Sequence, residues 1–208
     1  PSLVGSEMCI RDSYSDVPMG VGTSEDDVIA AVGDSDFAIA GIEPYSAKVI
    51  ENCPNLKIIS RRGIGYENID IEACRRRNIS VLRAVGSIEG SVGEAVMSYI
   101  LYFSRRVDLQ SSYLHQKEWK RIMTPGAKTR TLGLVGFGGV GQEIAKRAAA
   151  FDMNLAYYCR HPLNDLENKY KAAYMPLDEL LSVSDYVSVN LPLTDETRNM
   201  FDLSLIHI

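Results

Sequence analysis

The chain has 208 residues, 46% hydrophobic and 24% charged, and its 22 basic and 27 acidic residues leave a net charge of −5. This is a globular composition, long enough for one large domain or two small ones. The mildly acidic balance gives no reason to expect nucleic acid or an anionic membrane surface as partner, and no apolar run approaches the roughly 20 residues needed to span a bilayer. The four cysteines, Cys9, Cys53, Cys74 and Cys159, form neither a C-x-x-C pair nor a disulfide-like framework, which reads as reduced thiols of a cytoplasmic protein.

In chain order, Pro1–Ser13 (PSLVGSEMCIRDS) shows no helical or strand period. It also lacks the basic region and apolar run of roughly 7–15 residues that a signal peptide needs. It and Leu203–Ile208 read as non-native sequence, with the native protein expected to continue past both ends. Ser24, followed by Glu25, Asp26 and Asp27, reads as a helix N-cap with acids suited to the dipole. Asp36–Ala40 is a buried-strand candidate, Pro44 starts a helix ending near Asn52, and Leu56–Ser60 is the next strand. The loop Arg61–Tyr66, a helix over Ile69–Arg77 and a strand at Ile79–Leu82 follow. Strands separated by helices of this length argue for a parallel sheet with crossovers.

Ser91-x-x-Glu94 reads as a capping box opening a long helix. Its apolar residues Val92, Ala95, Val96, Tyr99, Ile100 and Phe103 keep helical spacing, and Arg105 and Arg106 close it. A polar helix carrying His115 and Trp119 follows, then a Pro125-Gly126 break. Beyond it lie strands at Asn154–Tyr158, weakly at Ala172–Tyr174, and at Tyr186–Asn190, with a helix at Leu177–Leu181.

The most informative segment lies between these, Thr131–Gly141 (TLGLVGFGGVG). A short apolar run stops on glycines at G-x-G-x-x-G spacing, Gly136, Gly138 and Gly141. A helical pattern then begins, with Val140, Ile144, Ala148 and Phe151 along one face. Strand, tight turn and helix in that order are the context that lifts the motif above chance. Gly136 allows the sharp turn, Gly138 lets the backbone approach a pyrophosphate, and Gly141 lets the helix lie close on its strand. The helix N-terminus offers unpaired N–H groups and a positive dipole end to the phosphates.

Several spaced motifs together resemble the D-isomer-specific 2-hydroxyacid dehydrogenases. They are Ser60–Asp70 (SRRGIGYENID), Ser91–Glu94 (SVGE), the glycine motif, Leu177–Tyr186 (LDELLSVSDY) and Leu191–Thr197 (LPLTDET). The resemblance runs from about Asp16 to Asp202. It implies an α/β protein of two domains: a Rossmann-type doubly wound parallel sheet over residues 88–202, and a flavodoxin-like substrate domain over residues 14–87, both incomplete. It implies a substrate carboxylate held by the loop at Arg61, Gly63, Ile64 and Gly65, whose consecutive N–H groups make an anion-binding concavity. For the cofactor it implies Gly136, Phe137, Gly138, Gly139, Val140 and Gly141, then Cys159, Arg160 and His161, and finally Pro192 and Thr197. Asn68 and Glu94 also fall on family positions, Glu94 being explained as a helix cap.

NAD-dependent members carry an acidic residue at the end of the second nucleotide-domain strand, where it holds the adenosine ribose. Cys159 occupies that position and Arg160 follows at once. No carboxylate there repels a 2′-phosphate and a guanidinium can clamp one, which favours NADPH over NADH; His161 can add a donor. The reaction implied is hydride transfer between nicotinamide and a D-2-hydroxy or 2-oxo acid. The Arg, Glu and His that would polarise and protonate the carbonyl are expected beyond Asp202, so no catalytic residue is assigned and no metal is expected. Without those partners, and with the edge beside Tyr186–Asn190 uncovered, the 208-residue chain is expected to be inert and poorly soluble. A small-molecule acid is the expected partner, with neither nucleic acid nor membrane, and the resemblance implies a homodimer of the full-length protein with the helices around Ser91–Trp119 involved. Two competing readings are a non-catalytic dinucleotide-binding module like the corepressors on this scaffold, and a formate dehydrogenase or adenosylhomocysteine hydrolase relative. Fold alone does not separate the dehydrogenase from the first of these, whereas Arg61–Tyr66 followed by Asn68 fits a hydroxyacid loop better than a formate dehydrogenase, and the substrate motifs of the hydrolases are absent.

Overall fold

Short parallel strands alternate with helices throughout the computed structural model, which describes residues 22–202. The readings on Pro1–Ser13, Cys9 and Leu203–Ile208 lie outside the described residues. The chain divides between Val85 and Gly86 into two compact units.

In the first unit, α1 (Glu25–Val32) opens on a reciprocal capping box. The Asp27 N–H donates to Ser24 Oγ at 3.2 Å, and the Ser24 N–H donates to Asp27 Oδ2 at 3.1 Å. Strand β1 (Phe37–Ala40), helix α2 (Ala47–Asn52), β2 (Ile58–Arg61), α3 (Ile71–Arg76) and β3 (Ser80–Arg83) follow. The strands pair in the order β1-β2-β3, all parallel. Ala38, Ala40 and Ile59 meet Val28, Val49, Ile50, Ala73 and Cys74 in one core. Burial pushes the Cys53 and Cys74 thiols up from their ordinary value, which keeps them protonated and unreactive.

One boundary moves. Pro44 does not start α2, because Tyr45 is tied as extended backbone, donating to Asn68 O at 2.7 Å and accepting from the Asp70 N–H at 2.8 Å. Ser46 then caps the helix.

The second unit begins with α4 (Glu89–Ser104) and α5 (Val107–His115), then β4 (Thr131–Val135), α6 (Gly139–Ala150), β5 (Asn154–Tyr158), α7 (Asn164–Tyr170), β6 (Ala172–Tyr174), α8 (Leu177–Val183) and β7 (Tyr186–Val189). Its four parallel strands run in the order β6-β5-β4-β7. The sheet is covered on both faces, by a cluster of Leu132, Leu134, Ile144, Ala148 and Tyr157 and by a second of Val135, Ala156 and Leu180. Gly133 makes room for the second layer: a Cβ there would meet the Ser184 hydroxyl and stand 2.6 Å from Leu180 Cδ2. This is the doubly wound Rossmann arrangement.

Four expectations in this unit change. The long helix starts at Glu89, not at Ser91, and Ser91 and Glu94 lie inside it. Glu89 does the capping, its carboxylate accepting from the N–H groups of Gly86 (2.8 Å) and Ile88 (3.2 Å); those donors hold its carboxyl below the usual range. Glu94 instead faces Arg147 at 3.4 Å. The buried stripe of α4 is Gly93, Met97, Ile100 and Ser104, with Tyr99 and Phe103 outside. The reason is steric: Gly93 lies so near α6 that its Cβ would stand 3.1 Å from the Glu143 carbonyl carbon, so the close helix contact selects the small-residue face. Trp119 lies beyond the end of α5, which closes at His115. Finally, α7 is a helix the sequence pattern does not announce, since its N-cap is Leu163, which carries no side-chain acceptor.

Asp185, at the entry to β7, ties that strand to β4. Its carboxylate accepts from the Thr131 N–H at 2.8 Å and from Arg130 at 2.6 Å, and the Thr131 N–H, then Arg130, hold its pKa below the ordinary value. A depressed carboxylate pKa stabilises the fold above the unfolded-state value, and the contribution disappears as pH falls through the folded one. Asp185→Ala is expected to lose about 1 kcal/mol in urea unfolding at neutral pH. The difference should vanish once both states are protonated; a gap that persists in acid would show that charge is not its source.

Candidate functional site

The chain enters the second sheet at β4, proceeds outward through β5 and β6, and then crosses to β7 on the other side of β4. The strand order therefore reverses between β4 and β7, and the crevice beyond the carboxyl ends of strands at such a switch point is where open α/β sheets bind ligands. The glycine turn lies there. Gly136 has φ +95°, and a Cβ on it would stand 2.7 Å from the Asn190 carbonyl oxygen after β7. Gly141 is as constrained, its Cβ falling 2.5 Å from the Gly136 carbonyl oxygen. Gly138 is different: nothing lies within 4 Å of its Cβ position, and it is exposed. Two glycines are thus demanded by the fold itself, and the third opens onto clear space.

That space is the N-terminal end of α6, whose N-cap is Gly138. The first intrahelical bond runs from the Gln142 N–H to Gly138 O at 2.9 Å, and the amides before it have no partner within the helix. An open cradle of backbone donors at the positive end of a helix fits a dinucleotide diphosphate. Phe137 does not face the opening; it is buried, its ring stacked on Tyr157 with centroids 4.6 Å apart. Gly139 and Val140 form the first turn of α6, and Glu89 lies against Gly139, where a Cβ would stand 3.1 Å from its side chain.

Beyond β5, Cys159 is half-buried and its thiol donates to His161 O at 2.7 Å, while Arg160 and His161 are exposed. Beyond β7, the Thr197 hydroxyl donates to Pro192 O at 2.6 Å and accepts from the Thr194 N–H at 2.8 Å, closing a tight turn. The Glu196 carboxyl there is held low by Thr194, by its own backbone N–H and by the positive charge of Arg160. The glycine turn and the segments after β5 and β7 thus share the carboxyl end of one sheet.

In the first unit the loop after β2 occupies the same end of its own sheet. Arg61, half-buried, ends β2 and folds its guanidinium over Gly63, whose Cβ would lie 3.0 Å from Nη1. The Arg62 N–H donates to Ala40 O at 2.9 Å, so that amide is engaged with β1. Ile64 O accepts from Arg83, whose guanidinium covers the Tyr66 ring at 5.0 Å. Asn68 is a brace, donating to Glu43 O at 2.7 Å and Gly41 O at 3.3 Å. Arg61 Nε and Glu43 Oε2 are buried without a hydrogen-bond partner.

Among the described residues no group of three His, Cys, Asp or Glu side chains is placed to hold a metal. His115 is exposed at the end of α5 and His161 in the loop after β5.

A family model described as D-isomer specific 2-hydroxyacid dehydrogenase, NAD binding domain, matches residues 97–207, more than half of the chain. The chain belongs to this family. Glyoxylate reductase of Thermococcus litoralis is 36% identical over 162 residues, covering 74% of this chain and 49% of that protein. Hydroxypyruvate reductase of Thermotoga maritima is 39% identical over 160 residues, covering 76% and 51%. Among solved structures, the TT0316 protein of Thermus thermophilus superposes with a TM-score of 0.84 at 28% identity, over 99% of this chain and 67% of that one. The chain spans about half the length of the curated relatives it matches. The family model covers the whole glycine turn and the segments after β5 and β7.

Sequence reasoning passed over three residues that shape this site. Glu89 is obscured by the nearby Ser91-x-x-Glu94 pattern, although its carboxylate reaches back to the N–H of Ile88, the N-cap of α4, and to the Gly86 N–H before it. Tyr157 is only one residue of the predicted strand Asn154–Tyr158, and the sequence pattern singles out nothing at Glu167. They meet at 2.8 Å, and burial first, with Glu167 adding, pushes the Tyr157 hydroxyl up to about 12 against the opposing pull of the Leu163 N–H.

Proposed function

We propose that this chain is the dinucleotide- and substrate-binding part of a dehydrogenase that transfers hydride reversibly between a nicotinamide coenzyme and a small D-2-hydroxy or 2-oxo acid. The observation that carries it is the glycine turn, with Gly136 and Gly141 locked by the fold and Gly138 open at the start of α6. In this reading residues 88–202 hold the coenzyme: the Gly138–Gly141 amides take the diphosphate, Cys159, Arg160 and His161 face the adenosine ribose, and Pro192 and Thr197 line the far side. Residues 14–87 form the substrate domain, where the Gly63, Ile64 and Gly65 amides take the carboxylate and Arg61 adds a charge-assisted bond. The bound coenzyme supplies the hydride; the residues named here bind and orient. The glyoxylate and hydroxypyruvate of the relatives' names make short 2-oxo acids the first substrates to try. No helix among the described residues is long and apolar enough to cross a membrane, and a cytoplasmic location suits this reading.

The coenzyme preferred is NADPH. No carboxylate stands at Cys159, and Arg160 is exposed beside it. Titration calorimetry with both reduced coenzymes tests this: NADPH should bind more tightly, and Arg160→Ala should weaken NADPH about tenfold while changing NADH by less than about twofold. Tenfold tighter NADH would end the preference. Heat with neither coenzyme would end the dinucleotide reading. Oxidation of the bound coenzyme on adding glyoxylate or hydroxypyruvate tests the substrate class.

A homodimer is proposed through the outer face of α4 and α5. Tyr99 and Phe103 of α4 and Leu114 of α5 are exposed, and so is Trp119 just beyond the end of α5, by 87%. Large apolar side chains left exposed along these helices suit an association surface.

A further inference from the structure

We infer that Tyr157 is a positioning residue that fixes the loop 159–163 against the glycine turn and so sets how tightly the adenosine end of a dinucleotide is held. This rests on the coenzyme reading above and adds a residue to it. Tyr157 lies within β5 opposite Leu134 of β4 and is fully buried. Its ring stacks on Phe137, the residue between Gly136 and Gly138, and meets Tyr174 of β6 edge-on at 5.6 Å. Phe137 in turn meets Tyr170 of α7 edge-on at 5.8 Å. The Tyr157 hydroxyl donates to Glu167 at 2.8 Å and accepts from the Leu163 N–H at 2.7 Å. One side chain therefore joins the glycine turn, the end of the loop after β5 and the first turns of α7.

The loop requires this. It leaves the sheet at Tyr158 and must return at Leu163, the N-cap of α7, which has no side-chain oxygen to satisfy the free amides of a helix start. The hydroxyl rises from the core to meet that end. With the loop pinned at both ends, and Cys159 bonded across it to His161 O, Arg160 and His161 project from a short closed segment. Groups held in place before a ligand arrives lose less freedom on binding it.

Tyr157→Phe keeps the stacked ring and removes only the hydroxyl, leaving the Leu163 N–H and the Glu167 carboxylate without their partner. Glu167→Gln retains an acceptor for the hydroxyl. The whole chain and both variants are compared by calorimetry with ADP-ribose and 2′-phospho-ADP-ribose, and by amide hydrogen exchange without ligand. In Tyr157→Phe both affinities should fall about tenfold, and exchange should accelerate at 159–167 while 139–150 stays as it was. Glu167→Gln should stay within about threefold of the parent. Unchanged affinities in Tyr157→Phe overturn the inference. So does acceleration spread equally over 139–150, which is general loosening. If the parent binds neither ligand, the coenzyme reading falls and exchange alone decides the clamp: acceleration confined to 159–167 keeps it, and none removes it. Should Tyr157→Phe fail to fold, Glu167→Ala, which removes the acceptor from outside the core, must give the same confined acceleration.

Discussion

Gly136→Ala is expected to cost the second unit about 3 kcal/mol or more, because two penalties fall on one residue. At φ +95° an L side chain is strained, which costs roughly 1–3 kcal/mol. The new Cβ would also stand 2.7 Å from the Asn190 carbonyl oxygen, backbone that moves only by shifting the end of β7, at a further cost of about 1–3 kcal/mol. Gly138→Ala is the contrasting case. Its Cβ enters open space, and its stability should fall by less than about 1 kcal/mol, the difference between glycine and alanine at an N-cap. Yet that Cβ stands where a diphosphate approaches α6, so affinity for either coenzyme should drop at least about tenfold. Urea unfolding and calorimetry on the two variants separate a structural glycine from a binding one. Gly138→Ala binding like the parent would falsify the placement of the diphosphate.

Tyr99→Asp combined with Phe103→Asp should turn a dimer into a monomer. Both side chains are more than 60% exposed in the single chain, at 65% and 63%, so charging them should change the unfolding free energy by less than about 0.5 kcal/mol. In a dimer each would place a carboxylate in an apolar interface, and truncating a central aromatic anchor alone costs about 2 kcal/mol or more. The double change should weaken association at least about 100-fold. Sedimentation equilibrium reads the outcome directly: a parent that is monomeric at every concentration, or a variant that still pairs, removes this face as the interface.

The same face shows where pattern reading stops. Val92, Ala95, Val96, Tyr99, Ile100 and Phe103 keep helical spacing, yet the residues of this helix that line the core are Gly93, Met97, Ile100 and Ser104. Periodicity locates an apolar stripe and does not say what it meets. Which face turned inward depended on how near α6 came, and Gly93 permits an approach that the aromatic face does not. The capping box at Ser91 failed similarly: the local pattern was sound, but Glu89, two residues earlier, reached back to the Gly86 amide. Helix α7 was missed because its start is capped from β5 rather than by a neighbour in sequence.

Local chemistry alone determined the alternation of strands and helices, the cap at Ser24, strand β5 to the residue, and the glycine turn between β4 and α6. Each depends on residues a few positions apart, so the chain carries the information without folding. Strand order, the meeting of the segments after β5 and β7 beside Gly136, and the bond from Tyr157 to Leu163 and Glu167 belong to tertiary structure. They join groups separated along the chain, and only packing decides which buried donor finds which acceptor.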